Sequence, residues 1–159
     1  MCRSKIQEAV KEAVDRMNGF LAPSDLRIEV DEPDIPRENC IGEYEAGSVF
    51  EKTIVIRVFY ENLADAASEE GLSLNAILRE ARITVYHETG HGLMEQLLDW
   101  ADSFPEETAG LAEKYFDIFD DSNLTEEEIV ESFARRFDAG ASSLLKSCFV
   151  EANEILKNT

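Results

Sequence analysis

No apolar run in this sequence reaches the roughly 18 residues that a membrane-spanning helix needs, so a membrane span is excluded. Cysteine is scarce. Cys2, Cys40 and Cys148 are odd in number and far apart, which excludes a disulfide framework and a C-x-x-C metal site. Cys148 lies in an apolar helical stretch and reads as a small core residue. Basic residues are also few: 15 lysines and arginines stand against 34 aspartates and glutamates, a formal net charge of −19. Such a surface repels phosphate backbones and anionic lipid, so neither nucleic acid nor membrane is an expected partner. The acidity is most simply a solvated surface, with a face for a basic partner as the rival reading. The first residues, Met1 to Glu8, lack the apolar core of a secretory signal, and the expected location is cytoplasmic. Histidine is the scarcest residue with a chemical consequence: there are two, His87 and His91.

What is present suits a globular chain. A length of 159 residues with 44% hydrophobic and 31% charged residues fits one compact domain over 1–159. Ile6, Ala9, Val10, Ala13, Val14 and Met17 form one stripe of a helix over Ser4–Asn18, with Gly19 expected to stop it. Leu26–Val30 alternates as a strand, Asp31–Glu38 is a proline-bearing loop, and Cys40–Glu45 is a short strand interrupted by Gly42. Thr53–Tyr60 is β-branched and aromatic and predicts a well-buried strand that pairs with the preceding one as a hairpin. The remainder is helical: Glu61–Ser68 up to Gly71, Ser73 as N-cap of a helix to about Trp100, Pro105–Phe119, Thr125–Ala139 and Ser142–Lys157. The expected class is α+β, with a small N-terminal sheet and a helical C-terminal half.

His87-Glu88-Thr89-Gly90-His91 is H-E-x-x-H in the middle of the longest helix. At about 100° per residue the two histidines lie about 40° apart on one face, so both imidazoles reach one ion. Glu88 lies about 60° from His91, beside the ion without having to coordinate it. That is the place for a general base acting on a water that zinc has acidified to a pKa of about 7. Gly90 leaves a bare patch where a neighbouring backbone can approach. A catalytic zinc takes three protein ligands, and the chain has no third histidine; Leu97 stands where one would complete a six-residue spacing. The third ligand is therefore expected to be a carboxylate.

The acidic run Glu126-Glu127-Glu128 offers it. Thr125 and Glu128 fit a capping box, and the core stripe of this helix reads Val130, Phe133, Ala134, Phe137 and Ala141. Glu126 and Glu127 flank that stripe at about 40° and 60° from Val130, while Glu128 points about 160° away. Glu126 and Glu127 are thus the inward candidates, and Glu128 comes third. Glu131, one turn past Glu127, is a candidate to orient a ligating histidine. The bland reading of the run is compensation of the helix dipole.

With these residues in view, the chain resembles the gluzincin metallopeptidases, most closely the compact ImmA/IrrE-type minimal zincins of prokaryotes and phages. Their second motif resembles E-x-x-A-x-x-F-A, which Glu127, Phe133 and Ala134 match, with Val130 at the usual Ala position. The resemblance spans residues 53 to 137 at most. It implies a zincin-like fold, Zn2+ held by His87, His91 and Glu127, and Glu88 as general base. It further implies a peptide or protein substrate held along the Thr53–Tyr60 strand by strand addition. The activity implied is a zinc-dependent metallopeptidase. The alternatives are a non-catalytic zinc-binding or protein-interaction domain on the same scaffold, and a metal-free helical domain with an accidental motif. Tyr44, Tyr60, Tyr86 and Tyr115 are the available candidates for stabilising an oxyanion. Tyr86 points about 100° from His87 and is expected in the core.

Overall fold

The structure, a computed structural model, describes residues 2–24, 26–31, 41–45, 53–120 and 123–159. The expected loop Asp31–Glu38 and Cys40 lie outside the described residues, apart from Asp31. The fold is α+β, as expected. In order it runs α1 (Cys2–Leu21), a 3-10 turn (Ala22–Ser24), β1 (Arg27–Asp31), β2 (Gly42–Glu45), β3 (Thr53–Val58) and α2 (Tyr60–Glu70). Then follow α3 (Leu74–Ser103), α4 (Pro105–Lys114), α5 (Phe116–Phe119), α6 (Glu126–Asp138) and α7 (Leu144–Lys157). The chain gathers into two compact units, Met1–Thr89 and Gly90–Thr159, and α3 runs through the boundary.

In the first unit, Ile6, Ala9, Val10, Ala13, Met17 and Leu21 are buried at helical spacing, so α1 packs by one face. Gly19 does not stop the helix. It continues to Leu21, where the Ser24 hydroxyl donates to the Leu21 carbonyl at 2.7 Å and closes the turn. Asn18 explains the extra length. Its side chain accepts from the Ile28 amide at 2.7 Å and donates to the Ile28 carbonyl at 3.4 Å, satisfying backbone groups of β1.

The sheet order is β1-β3-β2, with β1 parallel and β2 antiparallel to β3. Three sequence expectations change here. The β3 side chains alternate, with Ile54, Ile56 and Val58 buried and Thr53, Val55 and Arg57 half-buried, so one face is fully covered rather than both. Arg57 sits opposite Glu43 and donates to it at 3.1 Å, which is how a cation fits the second face of a central strand. Because β3 has a strand on each side, its hydrogen-bonding edges are used, and it cannot hold a peptide by strand addition. The strand also stops at Val58, and Tyr60 opens α2 as a buried helical residue. Gly71 ends α2 in the left-handed region at φ 67°, with amides of Gly71 and Leu72 returning to Ser68 and Ala67.

Ser73 caps α3, its hydroxyl accepting from the Ala76 amide at 3.2 Å, but the helix runs to Ser103, past the expected Trp100. In the second unit, the expected Pro105–Phe119 helix is two pieces broken at Tyr115. Tyr115 is buried and donates to Glu151 of α7 at 2.8 Å, while Lys114 donates to the same carboxylate oxygen at 2.7 Å. The clamp between α4 and α7 takes the Tyr115 backbone out of helical geometry. Trp100 stacks on Phe149 at 5.5 Å, whereas Phe104 and Phe116 are exposed. Cys148 is fully buried, and burial pushes its thiol up to about 12, leaving it a neutral packing group.

The clamp makes a pH prediction. The Lys114 and Tyr115 hydrogen bonds hold the Glu151 carboxyl below its ordinary 4.5, so its contribution is present above that value and is lost as pH falls through the lowered one. Lys114 is raised above 10.5, chiefly by its bond to Glu151, so its share persists below that pH and is lost above it. Wild type is expected to melt higher than Glu151→Gln near neutrality, with the gap closing as pH falls from 4.5 through the lowered value. Thermal melts across pH check this; a gap independent of pH refutes the clamp.

Candidate metal centre

Between residues 81 and 97, α3 is buried on most of its surface. Its half-buried residues in that stretch are Arg82, His87, Glu88, His91 and Glu95. Apart from Arg82, these lie within about 100° of one another around the axis, so the H-E-x-x-H face is the partly open side of a buried helix. Thr89, on another face, is fully buried and returns its hydroxyl to the Val85 carbonyl at 2.7 Å.

Donor atoms of His87, His91 and Glu127 lie within 4.8 Å of one another. An ion about 2.1 Å from each would hold them roughly 3.4 Å apart, a gap that small side-chain rotations close, so the set fits a zinc ion. The tightest part involves His91. Its Nε2 is 2.9 Å from Glu127 Oε1, and its Nδ1 is 2.7 Å from Glu126 Oε1. The two carboxylates thus bracket one imidazole. Glu126 and Glu127, expected to face inward, are exposed at 49% and 69% of their side chains, against 17% for His91. They reach the histidine from the open end of α6, not from its core face.

Glu128 goes elsewhere, accepting from the Thr125 hydroxyl at 3.2 Å while that hydroxyl caps the Glu128 amide. Glu131 accepts from Arg135 Nε at 2.7 Å one turn along the same helix. Ala141, expected on the α6 stripe, lies beyond the end of the helix and is exposed. Ile129 is buried in addition to Val130, Phe133, Ala134 and Phe137.

Two glycines that spacing alone did not explain position the centre. A Cβ on Gly90 would lie 2.9 Å from Val130 Cβ and 3.3 Å from Phe133 Cδ1. The bare patch expected there is filled by α6 side chains, not by backbone. This close approach carries the first turn of α6 to His91, and Val130 is the residue that meets the glycine. Gly90→Ala is expected to cost about 1–3 kcal/mol by overpacking, with much of it returned by Val130→Ala in the same chain. Urea unfolding of the two single variants and the double variant checks this; additive losses would show that the contact does not matter.

Gly42, expected only to weaken its strand, lets β2 lie against α3. A Cβ there would meet Thr84 Cγ2 at 2.6 Å and Glu88 Cγ at 3.3 Å, so the strand brackets the stem of Glu88. Tyr44 is two residues along and therefore on the same face of β2, half-buried. Of the four tyrosines, Tyr60, Tyr86 and Tyr115 are buried, Tyr86 at 1% exposure with Arg16 over its ring. That leaves Tyr44 as the tyrosine that is not fully buried, on the β2 face that Gly42 turns towards Glu88. A groove of about 470 Å³ in the second unit, with Ile118, Ile129, Phe133 and Arg136 among its walls, includes none of the metal-group residues. Compared with protein-family models, with curated proteins and with solved structures, the chain finds no match.

Proposed function

We propose that this chain is a zinc-dependent metallopeptidase on a zincin-like scaffold, with His87, His91 and Glu127 as ligands. The observation that carries the reading is the convergence of these three donors, from α3 and α6, within 4.8 Å. The H-E-x-x-H spacing and the resemblance to compact gluzincins agree with it. Bound there, zinc supplies Lewis acidity and brings water into the range where a carboxylate deprotonates it.

Glu88 is the general base. It lies on the partly open side of α3, about 60° from His91, and its stem is steadied by Gly42 and the β2 backbone. It takes the proton from the attacking water and passes it to the leaving amine. Tyr44, on the β2 face turned towards Glu88, is the tyrosine to which we assign donation to a substrate carbonyl. The substrate is a peptide or protein segment. A cytoplasmic setting accords with the scarcity of cysteine.

Metal analysis of the purified protein, followed by peptide-library digestion with and without a chelator, tests the reading. One zinc per chain and chelator-sensitive cleavage are expected. Zinc without cleavage would replace the peptidase by a zinc-binding interaction domain, and absence of zinc would overturn both.

A further inference from the structure

We propose that Glu126 is the positioning residue of the metal centre: it holds the hydrogen on His91 Nδ1 and so reserves Nε2 for the ion. Its functional meaning rests on the zinc reading above. The observation is the 2.7 Å contact between Glu126 Oε1 and His91 Nδ1 on the far side of the ring from Glu127. A carboxylate only accepts, so the hydrogen in this contact belongs to Nδ1. By the same rule Nε2 carries a hydrogen where it meets Glu127 at 2.9 Å; with Nδ1 committed to Glu126, Nε2 is the nitrogen that would give up its hydrogen to an ion beside Glu127.

Dipole compensation alone would place an acid at the start of α6, but it does not direct the carboxylate. Glu128 shares the same first turn and the same dipole, and its side chain turns back to Thr125. Glu126 and Glu127 instead straddle one ring, because consecutive helical residues diverge by about 100°. The Gly90–Val130 approach sets this end of α6 against His91. Sequence spacing singled out Glu131 for the orienting role; the geometry assigns it to the residue next to the ligand.

With only two histidines in the chain, nitrogen-15 multiple-bond NMR of the full-length labelled protein reads each imidazole nitrogen separately. In zinc-loaded wild type, His91 is expected to be metal-bound at Nε2 and protonated at Nδ1. Glu126→Ala is expected to weaken zinc binding about 10–100-fold and to speed exchange of the Nδ1 hydrogen with water. Glu126→Gln keeps an acceptor oxygen without the charge, and is expected to retain that hydrogen and recover much of the affinity. Zinc on Nδ1, or an Ala variant unchanged in affinity and exchange, overturns the proposal.

A zinc-free comparison separates this inference from the zinc reading. In zinc-free Glu127→Ala, neutral His91 is expected as the Nδ1–H tautomer. Adding Glu126→Ala should move it towards the mixture found in free imidazole. No change between these two proteins overturns the role of Glu126 whether or not zinc binds. A clear change in a chain that takes up no zinc supports Glu126 and overturns the metal. Glu126 is about half exposed on its helix, so these variants are expected to fold, and circular dichroism confirms it.

Discussion

Glu88→Gln is expected to retain one zinc per chain and to cleave peptides about 10²–10⁴-fold more slowly than wild type. The substitution keeps the size of the side chain and its place beside Gly42, so the fold and the three proposed ligands are expected to be undisturbed. What it removes is the capacity to accept a proton, since an amide is a poor base. The paired measurement is metal content and initial rate on the same sample. If cleavage persists at the wild-type rate with zinc retained, the base is another group. If zinc is lost with activity, Glu88 belongs to the coordination sphere and the roles on α3 must be redrawn.

His91→Ala, and separately Glu127→Ala, are expected to abolish the stabilisation that zinc gives the native chain. Binding to the folded state alone stabilises it by about 4 kcal/mol at a metal concentration 1,000 times Kd. For a chain of this size that corresponds to a rise of roughly 10 °C in the melting midpoint. His91→Ala should in addition lower the zinc-free melting midpoint more than Glu127→Ala does, because His91 holds both carboxylates of α6. Glu128→Ala is the control. Its carboxylate is engaged with Thr125, so it should keep the zinc-induced rise and lose only part of the helix cap. An equal loss from all three variants would mean that the acidic run binds cations diffusely.

Much of the site could be read without coordinates because it is local. The four-residue spacing of His87 and His91 places both on one helix face through backbone geometry alone, and Ser73 and Thr125 cap helices for reasons confined to one turn. The same holds for Gly71, whose left-handed backbone ends α2. Where the expectations changed, the deciding contact was distant in sequence. Gly19 could not stop α1 because Asn18 is held by Ile28. Tyr115 splits a helix because Glu151, 36 residues on, holds its hydroxyl. The Thr53–Val58 strand is central because β1 pairs with it from across an intervening strand.

The sequence by itself determined the class of elements, the pair of imidazoles on one face with a carboxylate between them in the chain, and the lack of any further histidine, which leaves acidic residues as the candidates for a third donor. Helical periodicity and residue chemistry suffice for that. Tertiary structure decided how three neighbouring glutamates divide their roles, with Glu127 at Nε2, Glu126 at Nδ1 and Glu128 at its own cap. Angles around α6 set Glu128 aside but could not separate Glu126 from Glu127, since they say which way a side chain leaves its helix and nothing about what crosses its path. That crossing is set by Gly90, whose missing side chain lets Val130 and Phe133 close on α3 and carries the open end of α6 to His91.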